Sequence, residues 1–397
     1  MIFIFYPSHI LGGAELLLIR LANDLYKSGY EVGIVDVQNG WISENIQNSH
    51  IKTIYIGKEK VLLPDNATLI TTSNFIYSLD NHFKRSNTKL LFWTVQPYNV
   101  IISMPYIHRY EILEKIISTR LEGFYNHEVI HKPKQLLSKL IASNSIVAMD
   151  NVCNIVLKKN YGLEYHRFLP IYIYSKEIYN RSALGEKFQL LWLGRIDNEF
   201  KKHILIKLIS DIQDSDFFHK IHLNIVGEGD GLDEVKNFCK NLNNIRFLGT
   251  LRGNQLESVL AQTNIGFAMG TSALDIANLG IPTVLLDFSY QPIYFYKYRW
   301  IFEAENFDLG RDIALLSFEQ LNNMKSLNEV LIELIEGQEN LGALCKDYVE
   351  RNHTENITLK KVDKYLMESK FSMDNLYENM KYRPIWLTIK KYIKGKR

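Results

Sequence analysis

Two cations follow a short apolar run in the second half of the chain and could bind an anion. Residues 190–193 predict a buried strand; Gly194 and Arg195 follow it, and Lys201 comes six residues after Arg195. A guanidinium can bond two phosphate oxygens at once, and an ammonium supplies a point charge. At the carboxyl end of a strand this pair suits a diphosphate. A solvated basic turn is the alternative that this loop alone leaves open.

The segment that follows repeats the same strand-then-loop pattern. It predicts strands over Ile221–Val226, 245–248, 264–268 and 283–286, alternating with helices over 232–242, 254–261 and 270–279. Such alternation indicates a parallel sheet, in which ligands bind beyond the carboxyl ends of the strands. The Gly-rich loops fall at that edge. Free N–H groups of such loops and of helix amino termini bind anions.

These motifs, taken in order, resemble the donor half of GT-B glycosyltransferases, and the nearest group is the large retaining family 4 type (group 1 glycosyltransferases). The resemblance rests on Gly194-Arg195 with Lys201, Gly227-Glu228-Gly229, residues 247–249, Ser272 to Asp275 and residues 280–282. At the amino terminus, residues 2–6 resemble the family's first strand, and Gly12-Gly13-Ala14-Glu15 resembles its glycine loop. The similarity covers roughly residues 1–350, as scattered short motifs.

The resemblance implies an α/β fold of GT-B type, with two Rossmann-like domains whose parallel sheets face across a cleft. By this resemblance, Arg195 and Lys201 bind the donor diphosphate. Gly13 is the glycine that lets the first loop come close to the donor phosphate and the acceptor. With Gln96, these are the candidate catalytic residues. The candidate donor-binding residues are Gly12, Gly194, Gly227, Glu228, Gly229, Thr250, Leu251, Gly270, Thr271, Ser272, Ala273 and Asp275.

Three positions depart from the family pattern. Asp275 replaces the second Glu of the paired-acid motif and is one methylene shorter. The first acid belongs eight residues earlier, where Phe267 stands, and the next two residues are not acidic either. Gln96 occupies the slot of a frequent His; Gln can hydrogen-bond a sugar hydroxyl but cannot act as a base. The departures put the catalytic detail in question more than the fold.

The length of the chain predicts two domains. With 397 residues it exceeds one ordinary core, and the 46% hydrophobic fraction is typical of globular proteins. We predict an acceptor-binding domain over 1–178, a nucleotide-sugar domain over 179–370, and a carboxyl-terminal helix with a basic amphipathic tail over 371–397. In the amino domain we predict strands over 2–6, 31–37, 51–56, Thr68–Thr72, 90–95 and 145–149, with helices over 16–27 and 151–160.

Charge and cysteine usage exclude several classes of protein. A net charge of +2 does not predict nucleic-acid binding. Three separated cysteines, Cys153, Cys239 and Cys345, indicate neither a disulfide framework nor a zinc site. We expect no bound metal and no cofactor. There is no signal-peptide pattern and no apolar run long enough to span a membrane, so we expect a cytoplasmic protein.

Two basic regions allow more than one interpretation. Residues 101–143 are mostly helical by pattern, and the resemblance implies that they form a candidate acceptor face. His108 and His131 could instead be ordinary surface residues. Residues 382–397 mix apolar and basic side chains, with Pro384 suited to a first helical turn. This tail could lie on an anionic membrane surface at the inner face of the cell membrane, fray, or pack back on the amino domain.

The sequence therefore predicts a glycosyltransferase. The resemblance implies a UDP- or GDP-sugar as donor and a saccharide as acceptor, and we expect a lipid-linked acceptor in bacterial surface polysaccharide or lipopolysaccharide synthesis. By resemblance, transfer retains the anomeric configuration and needs no metal. Two alternatives stay open: a GT-B sugar-nucleotide epimerase or hydrolase, and a catalytically silent sugar-binding scaffold subunit.

Overall fold

The structure, a computed structural model, describes residues 1–10, 12–101, 122–177, 184–385 and 387. The chain forms two compact units. Unit 1 comprises Met1–Ile171 and Thr358–Arg397, and unit 2 comprises Tyr172–Ile357.

The core of unit 1 is a six-stranded parallel sheet. Its strands are β1 (Ile2–Phe5), β2 (Val32–Val37), β3 (Lys52–Ile56), β4 (Thr68–Thr72), β5 (Lys89–Thr94) and β6 (Ile146–Ala148), in the spatial order β3-β2-β1-β4-β5-β6. All four residues of β1 and all five of β4 are buried. Strands buried along their whole length are expected where helices cover both faces of a parallel sheet.

The helices of unit 1 begin and end at recognisable signals. Asp150 caps a helix by accepting from the Cys153 N–H, and Gly162 ends that helix in the left-handed conformation. The unit contains α1 (Gly13–Lys27), α2 (Trp41–Asn45), α3 (Leu79–His82), α4 (Glu122–Tyr125), a π-helix (Asn126–His131), α5 (Lys132–Ala142) and α6 (Asn151–Tyr161), with 3₁₀ turns at Ser73–Phe75, Pro97–Val100 and Met380–Tyr382.

Unit 2 repeats the same topology. Its strands are β7 (Phe188–Leu193), β8 (Ile221–Val226), β9 (Ile245–Gly249), β10 (Ile265–Ala268), β11 (Thr283–Leu285) and β12 (Arg299–Trp300), in the order β12-β11-β10-β7-β8-β9. All pairs are parallel except β11 with β12. Counted from β7 as strand 1, the order from one edge is 3-2-1-4-5-6, the order of the Rossmann fold; unit 1 has it as well.

The helices of unit 2 are α7 (Lys202–Gln213), α8 (Leu232–Phe238), α9 (Asn254–Gln262), α10 (Thr271–Asn278), α11 (Phe318–Asn322) and α12 (Leu327–Asn352). Short 3₁₀ turns lie at Phe218–Lys220, Ile301–Glu303 and Ile313–Leu315. Ser317 with Gln320 and Ser326 with Glu329 form capping boxes at the starts of α11 and α12. Inside α12, Gly337 leaves the helical conformation and kinks the helix.

The chain returns to unit 1 through its last helices, α13 (Glu355–Glu368) and α14 (Met373–Glu378). On α13, the Thr358 hydroxyl donates to the Pro170 carbonyl at 3.3 Å and the Tyr365 hydroxyl to the Phe168 carbonyl at 3.2 Å. Further on, the Leu90 N–H donates to the Phe371 carbonyl at 2.8 Å.

The compact units therefore differ from the predicted domain ranges of 1–178, 179–370 and 371–397. Unit 2 begins at Tyr172, because the Ile173 N–H donates to the His353 carbonyl and the Asn278 amide donates to the Tyr174 carbonyl, both within unit 2. The return to unit 1 begins at Thr358, since α13 packs there. Both differences arise from hydrogen bonds between distant segments, which composition does not reveal. None of the described helices is long and apolar enough to cross a membrane.

Candidate functional site

The candidate donor residues of unit 2 gather at the carboxyl edge of its sheet. Gly194, Arg195 and Lys201 follow β7, Gly227 to Gly229 follow β8, Thr250 and Leu251 follow β9, and Gly270 to Asp275 follow β10. These four strands are neighbours in the sheet. The strand order reverses between β7 and β10. In Rossmann-type sheets ligands bind at this switch point, so the two cations and the amino terminus of α10 lie where a ligand is expected.

Backbone hydrogen bonds join three of these loops to one another. The Gly194 N–H donates to the Val226 carbonyl at 3.1 Å, and the Ile196 N–H donates to the Glu228 carbonyl at 3.0 Å. The Gly227 N–H donates in turn to the Gly249 carbonyl at 2.8 Å. The pairing of β7, β8 and β9 thus continues beyond the strands, and it fixes the loops relative to one another.

Gly227 cannot be replaced without moving its neighbours. A Cβ at this position would lie 2.0 Å from the Gly194 carbonyl oxygen, and the residue has φ +141°, which L side chains rarely adopt. The close approach brings the backbone of the β8 loop directly against the loop that bears the two cations.

Arg195 and Lys201 lie close enough to repel one another, and neither is paired with a carboxylate among the described residues. Lys201 is half-buried, and Arg195 is exposed. The Lys201 side chain reaches back to Gly194: its Nζ lies 3.9 Å from the position that a Cβ on Gly194 would occupy. Among the described residues neither side chain forms an ion pair, whereas the adjacent Lys202 pairs with Glu234. Burial, assisted by the nearby Arg195, lowers the pKa of Lys201 to about 8, although Asp197 opposes the shift. Two like charges in a partly buried place form a site that an anion would stabilise.

Asp197 shapes this loop, and the sequence reasoning did not single it out. Its Oδ1 accepts from the Phe200 N–H at 2.9 Å and the Lys201 N–H at 3.2 Å. An Asp a few residues before a helix start is the signal that could have identified it, because such side chains cap unpaired N–H groups. Phe200 then packs edge-on against Phe288 with 5.4 Å between ring centroids.

The amino terminus of α10 presents free backbone donors. Gly270 precedes the helix with φ +63°, and its own N–H donates to the Leu309 carbonyl at 2.8 Å. The N–H groups of Thr271 and Ser272 have no acceptor among the described residues, as expected for a first helical turn. Ala273 is buried and its N–H bonds back to Gly270. Together with the helix dipole, the free N–H groups form an anion site.

The remaining donor candidates lie on the same edge. The Thr250 hydroxyl donates to Glu228 Oε2 at 3.1 Å, which links the β8 and β9 loops, and Leu251 is half-buried beside them. Asp275 lies on α10 four residues after Thr271 and is half-buried. Phe267, in the slot of the missing acid, is fully buried in β10. The side chain at this position therefore belongs to the core.

The predicted site residues of unit 1 also lie at the carboxyl edge of its sheet. Gly12 immediately precedes α1, and Gly13 is the first residue of that helix and is exposed. Gln96 follows β5, is exposed, and precedes the 3₁₀ turn at Pro97–Val100. Strand β4 lies between β1 and β5, so both candidates stand at the carboxyl edge of one sheet. Their roles stay predictions.

The candidate acceptor face is described only in part. His108, Arg109 and Arg120 lie outside the described residues. Within the π-helix, Glu128 is buried, pairs with Lys132 and accepts the Ile385 N–H at 2.7 Å. Burial alone would raise the pKa of Glu128, but the bonds from Lys132 and Ile385 outweigh it and lower the pKa.

The start of the basic tail packs on unit 1. Arg383 pairs with Asp80, and Leu387 contacts Val129. Of the predicted amphipathic segment, Trp386 and residues 388–397 lie outside the described residues, so the membrane contact stays a prediction.

Two surface cavities lie within single units and contain none of the predicted site residues. One of about 470 Å³ belongs to unit 2 and is lined by residues that include Phe307, Tyr348 and Arg351. The other, of about 560 Å³, belongs to unit 1 and is lined by residues that include Leu63, Arg85 and Asp374. Among the described residues no group of three His, Cys, Asp or Glu side chains is placed to hold a metal ion.

Comparison by sequence finds no matching family model and no matching curated protein. Comparison by structure finds solved proteins similar over almost the whole chain. Sucrose-phosphate synthase from Thermosynechococcus elongatus has a TM-score of 0.58 at 13% identity, covering 92% of this chain and 98% of that one. The lipopolysaccharide outer core galactosyltransferase WaaB has 0.59 at 10%, covering 92% and 98%. Anabaena HepE, solved with UDP and glucose, has 0.50 at 12%, covering 92% and 99%.

The chain thus has the fold of GT-B glycosyltransferases. The prediction of two Rossmann-like domains of this type is confirmed by both six-stranded sheets and by the similar structures. At these identities the similarity shows the fold, and the activity has to be argued from the site.

Proposed function

We propose that this protein is a glycosyltransferase that moves a sugar from a nucleoside-diphosphate sugar to a saccharide acceptor. The observation that carries the proposal is the juxtaposition at the switch point of unit 2. There, Arg195 and Lys201 after β7 stand beside the free N–H groups at the start of α10 after β10. The oxygens of a diphosphate are negatively charged and would accept hydrogen bonds both from the two cations and from these N–H groups.

The site supports the departure of a nucleoside diphosphate. As the bond between the anomeric carbon and the phosphate oxygen breaks, negative charge grows on that oxygen. Arg195, Lys201 and the N–H groups of Thr271 and Ser272 offset it, which is commonly a large part of catalysis. The acceptor oxygen forms the new bond to the anomeric carbon, and its proton passes to the departing phosphate. Retention of configuration belongs to the proposal through the family resemblance alone.

The remaining groups select the nucleotide and the acceptor. We assign the ribose hydroxyls to Asp275 and the base to the Thr250–Leu251 segment, with Gly227 to Gly229 beside the nucleotide. Gly12, Gly13 and Gln96 of unit 1 are assigned to the acceptor and the reacting sugar. HepE was solved with UDP and glucose, so a UDP-sugar is the first donor to test, before a GDP-sugar. Since WaaB is a lipopolysaccharide outer core galactosyltransferase, a lipid-linked saccharide is the first acceptor to test.

The test is incubation of the purified protein with radiolabelled UDP- and GDP-sugars, with and without a bacterial membrane extract. Label transferred to extractable lipid or polysaccharide supports the proposal. Sugar interconversion or release without an acceptor would indicate an epimerase or a hydrolase instead. Nucleotide binding without chemistry would indicate a silent sugar-binding subunit. The Lys201→Ala variant is the control, because it should remove transfer while the protein stays folded.

A further inference from the structure

Three buried charges and one half-buried charge surround a segment that is hydrogen-bonded to the start of α10, and they take no part in the proposed transfer. Asp287, Arg299, Asp308 and Arg311 form what we call the four-charge cluster. The Arg299 guanidinium donates to Asp308 Oδ2 at 2.6 Å and to Asp287 Oδ1 at 3.1 Å. Arg311 donates to Asp287 Oδ2 at 2.8 Å. Two carboxylates balance two guanidiniums, so the cluster adds no net charge to the neighbouring phosphate site.

The cluster fixes the path of the segment that runs past the end of β11. The Arg311 N–H donates to Asp287 Oδ1 and the Gly310 N–H to Asp308 Oδ1, both at 2.8 Å. The Phe288 N–H donates to the Arg311 carbonyl, also at 2.8 Å. The two acids thus bond to backbone as well as to the guanidiniums, and the segment has little freedom to move.

The same segment supports the proposed phosphate site. Leu309, between the cluster residue Asp308 and Gly310, accepts the Gly270 N–H at 2.8 Å. Gly270 immediately precedes Thr271 and Ser272, whose N–H groups are free. A shift of the Leu309 carbonyl would therefore move the residue that sets the direction of these two donors.

We propose that the four-charge cluster is a positioning device for the donor diphosphate: through the Leu309 carbonyl and Gly270 it aims the Thr271 and Ser272 N–H groups at the phosphate. This inference rests on the function proposed above. A buried ion cluster adds little net stability over apolar packing of the same volume. What it supplies here is a fixed geometry, since each carboxylate is bonded from several sides.

The test compares Asp308→Asn and Arg311→Lys with a control in the same sheet. Both variants keep the size of the side chain close to the original and disturb the cluster. Asn264→Ala is the control, because Asn264 is a buried polar residue at the opposite end of β10, where its Oδ1 accepts the Gln189 N–H at 2.8 Å. It should lower stability without touching the α10 start.

The first readout is binding of UDP or GDP, whichever the wild-type protein binds, against binding of the matching nucleoside. Misdirecting donors to a charged phosphate should weaken diphosphate binding by about tenfold or more, with nucleoside binding little changed. Asn264→Ala should weaken neither at an equal loss of thermal stability. A parallel loss for the nucleoside and the nucleotide, or no loss in either cluster variant, would overturn the inference.

The second readout does not depend on the proposed function. Amide hydrogen exchange of the peptide covering residues 269–275 should accelerate in both cluster variants and not in Asn264→Ala. If exchange is faster in the cluster variants but the wild-type protein binds no nucleotide, the inference that the cluster positions the start of α10 stands and the proposed transferase function is rejected. Unchanged exchange would reject the positioning, whatever the wild-type protein binds.

Discussion

Lys201 is the residue whose chemistry depends most on its surroundings. Burial and the neighbouring Arg195 together lower its pKa to about 8, so the folded protein holds two cations near one another at a cost. A bound diphosphate would relieve both effects, because it replaces the lost hydration and neutralises the like charges. The side chain is thus placed where a bound anion would be stabilised.

Removal of either cation should nearly abolish transfer. We expect Arg195→Ala or Lys201→Ala to lower kcat/KM by about 100- to 1,000-fold, the usual effect of deleting a group that stabilises a developing charge. Lys202→Ala is the matched control, since Lys202 is adjacent but pairs with Glu234, and it should retain activity within a few-fold. Steady-state kinetics with the donor sugar that the radiolabelling experiment identifies checks this. Comparable rates for Lys201→Ala and Lys202→Ala would be incompatible with the assignment.

The affinity for nucleoside diphosphate should depend on pH near 8. Below that pH Lys201 is protonated and attracts the diphosphate; above it the amine is neutral and the attraction fades. Since the bound anion raises the pKa of Lys201, binding at pH 8 to 9 should take up a proton. Calorimetry in buffers of different ionisation enthalpy measures this uptake. A Lys201→Arg variant should show none, because the guanidinium stays charged.

These residues could be predicted from the sequence, but their pKa values and contacts could not. Gly194, Arg195 and Lys201 were predicted because their types and spacing follow an apolar strand. The lowered pKa of Lys201, the absence of an ion pair among the described residues and the loop-shaping role of Asp197 depend on three-dimensional neighbours. The sequence also shows that Phe267 stands where the family pattern has an acid, but only the structure shows that this side chain is part of the core.

At the scale of elements, the donor edge is built by loops that bond to one another. The β7, β8 and β9 loops form one continuous hydrogen-bonded surface, closed by the contact between Gly227 and the Gly194 carbonyl. Because backbone N–H groups of one loop bond to carbonyls of the next, the three loops hold one another in place.

A methyl group at Gly227 should disrupt this frame. Gly227→Ala places a Cβ 2.0 Å from a backbone oxygen at a φ of +141°, so the two loops must separate. We expect a loss of stability of about 1–3 kcal/mol, in the range measured for strained backbone positions, together with weaker nucleotide binding. Gly57→Ala is the control, since a Cβ there would meet nothing within 4 Å. Equal melting temperatures and equal UDP affinities in the two variants would contradict the argument.

The elements around the site were mostly predictable, and the exceptions have a common cause. Parallel strands such as β4 and β8 have the predicted ends, because short runs rich in β-branched and apolar residues are strong local signals. Strand β12 and the segment around Leu309 were not predicted. Strand β12 has only two residues and pairs antiparallel at the sheet edge. The Leu309 segment is held by ion pairs between residues distant in sequence, which carry no periodic pattern.

At the scale of the molecule, the chain uses one topology twice. Each unit has the 3-2-1-4-5-6 order, and in each the loop after the first strand, with Gly12 and Gly13 in unit 1 and Gly194 in unit 2, lies at the point where the order reverses. The return of the chain to unit 1 at Thr358 was not predictable from composition, since α13 is amphipathic like any surface helix. The basic tail follows this return and is anchored through Arg383 and Ile385.

Deletion of residues 388–397 should separate the tail's two possible roles. The anchoring contacts up to Leu387 remain, so the melting temperature should change little. Binding to vesicles containing anionic lipid should fall by about 100-fold or more, because each Lys or Arg near such a surface contributes about 1 kcal/mol. Sedimentation with vesicles measures this. A variant with the five cations of this segment changed to Gln should behave like the deletion, and vesicle binding that survives both changes would reject the membrane contact.

The most direct test of the central claim is a crystal structure of the protein with bound UDP or GDP. The account predicts a diphosphate at the carboxyl edge of β7 and β10, with the Arg195 guanidinium and Lys201 Nζ at about 3 Å from its oxygens. Thr271 and Ser272 should donate their N–H groups to the same diphosphate. A nucleotide bound with both cationic side chains turned away from its phosphates would contradict the account.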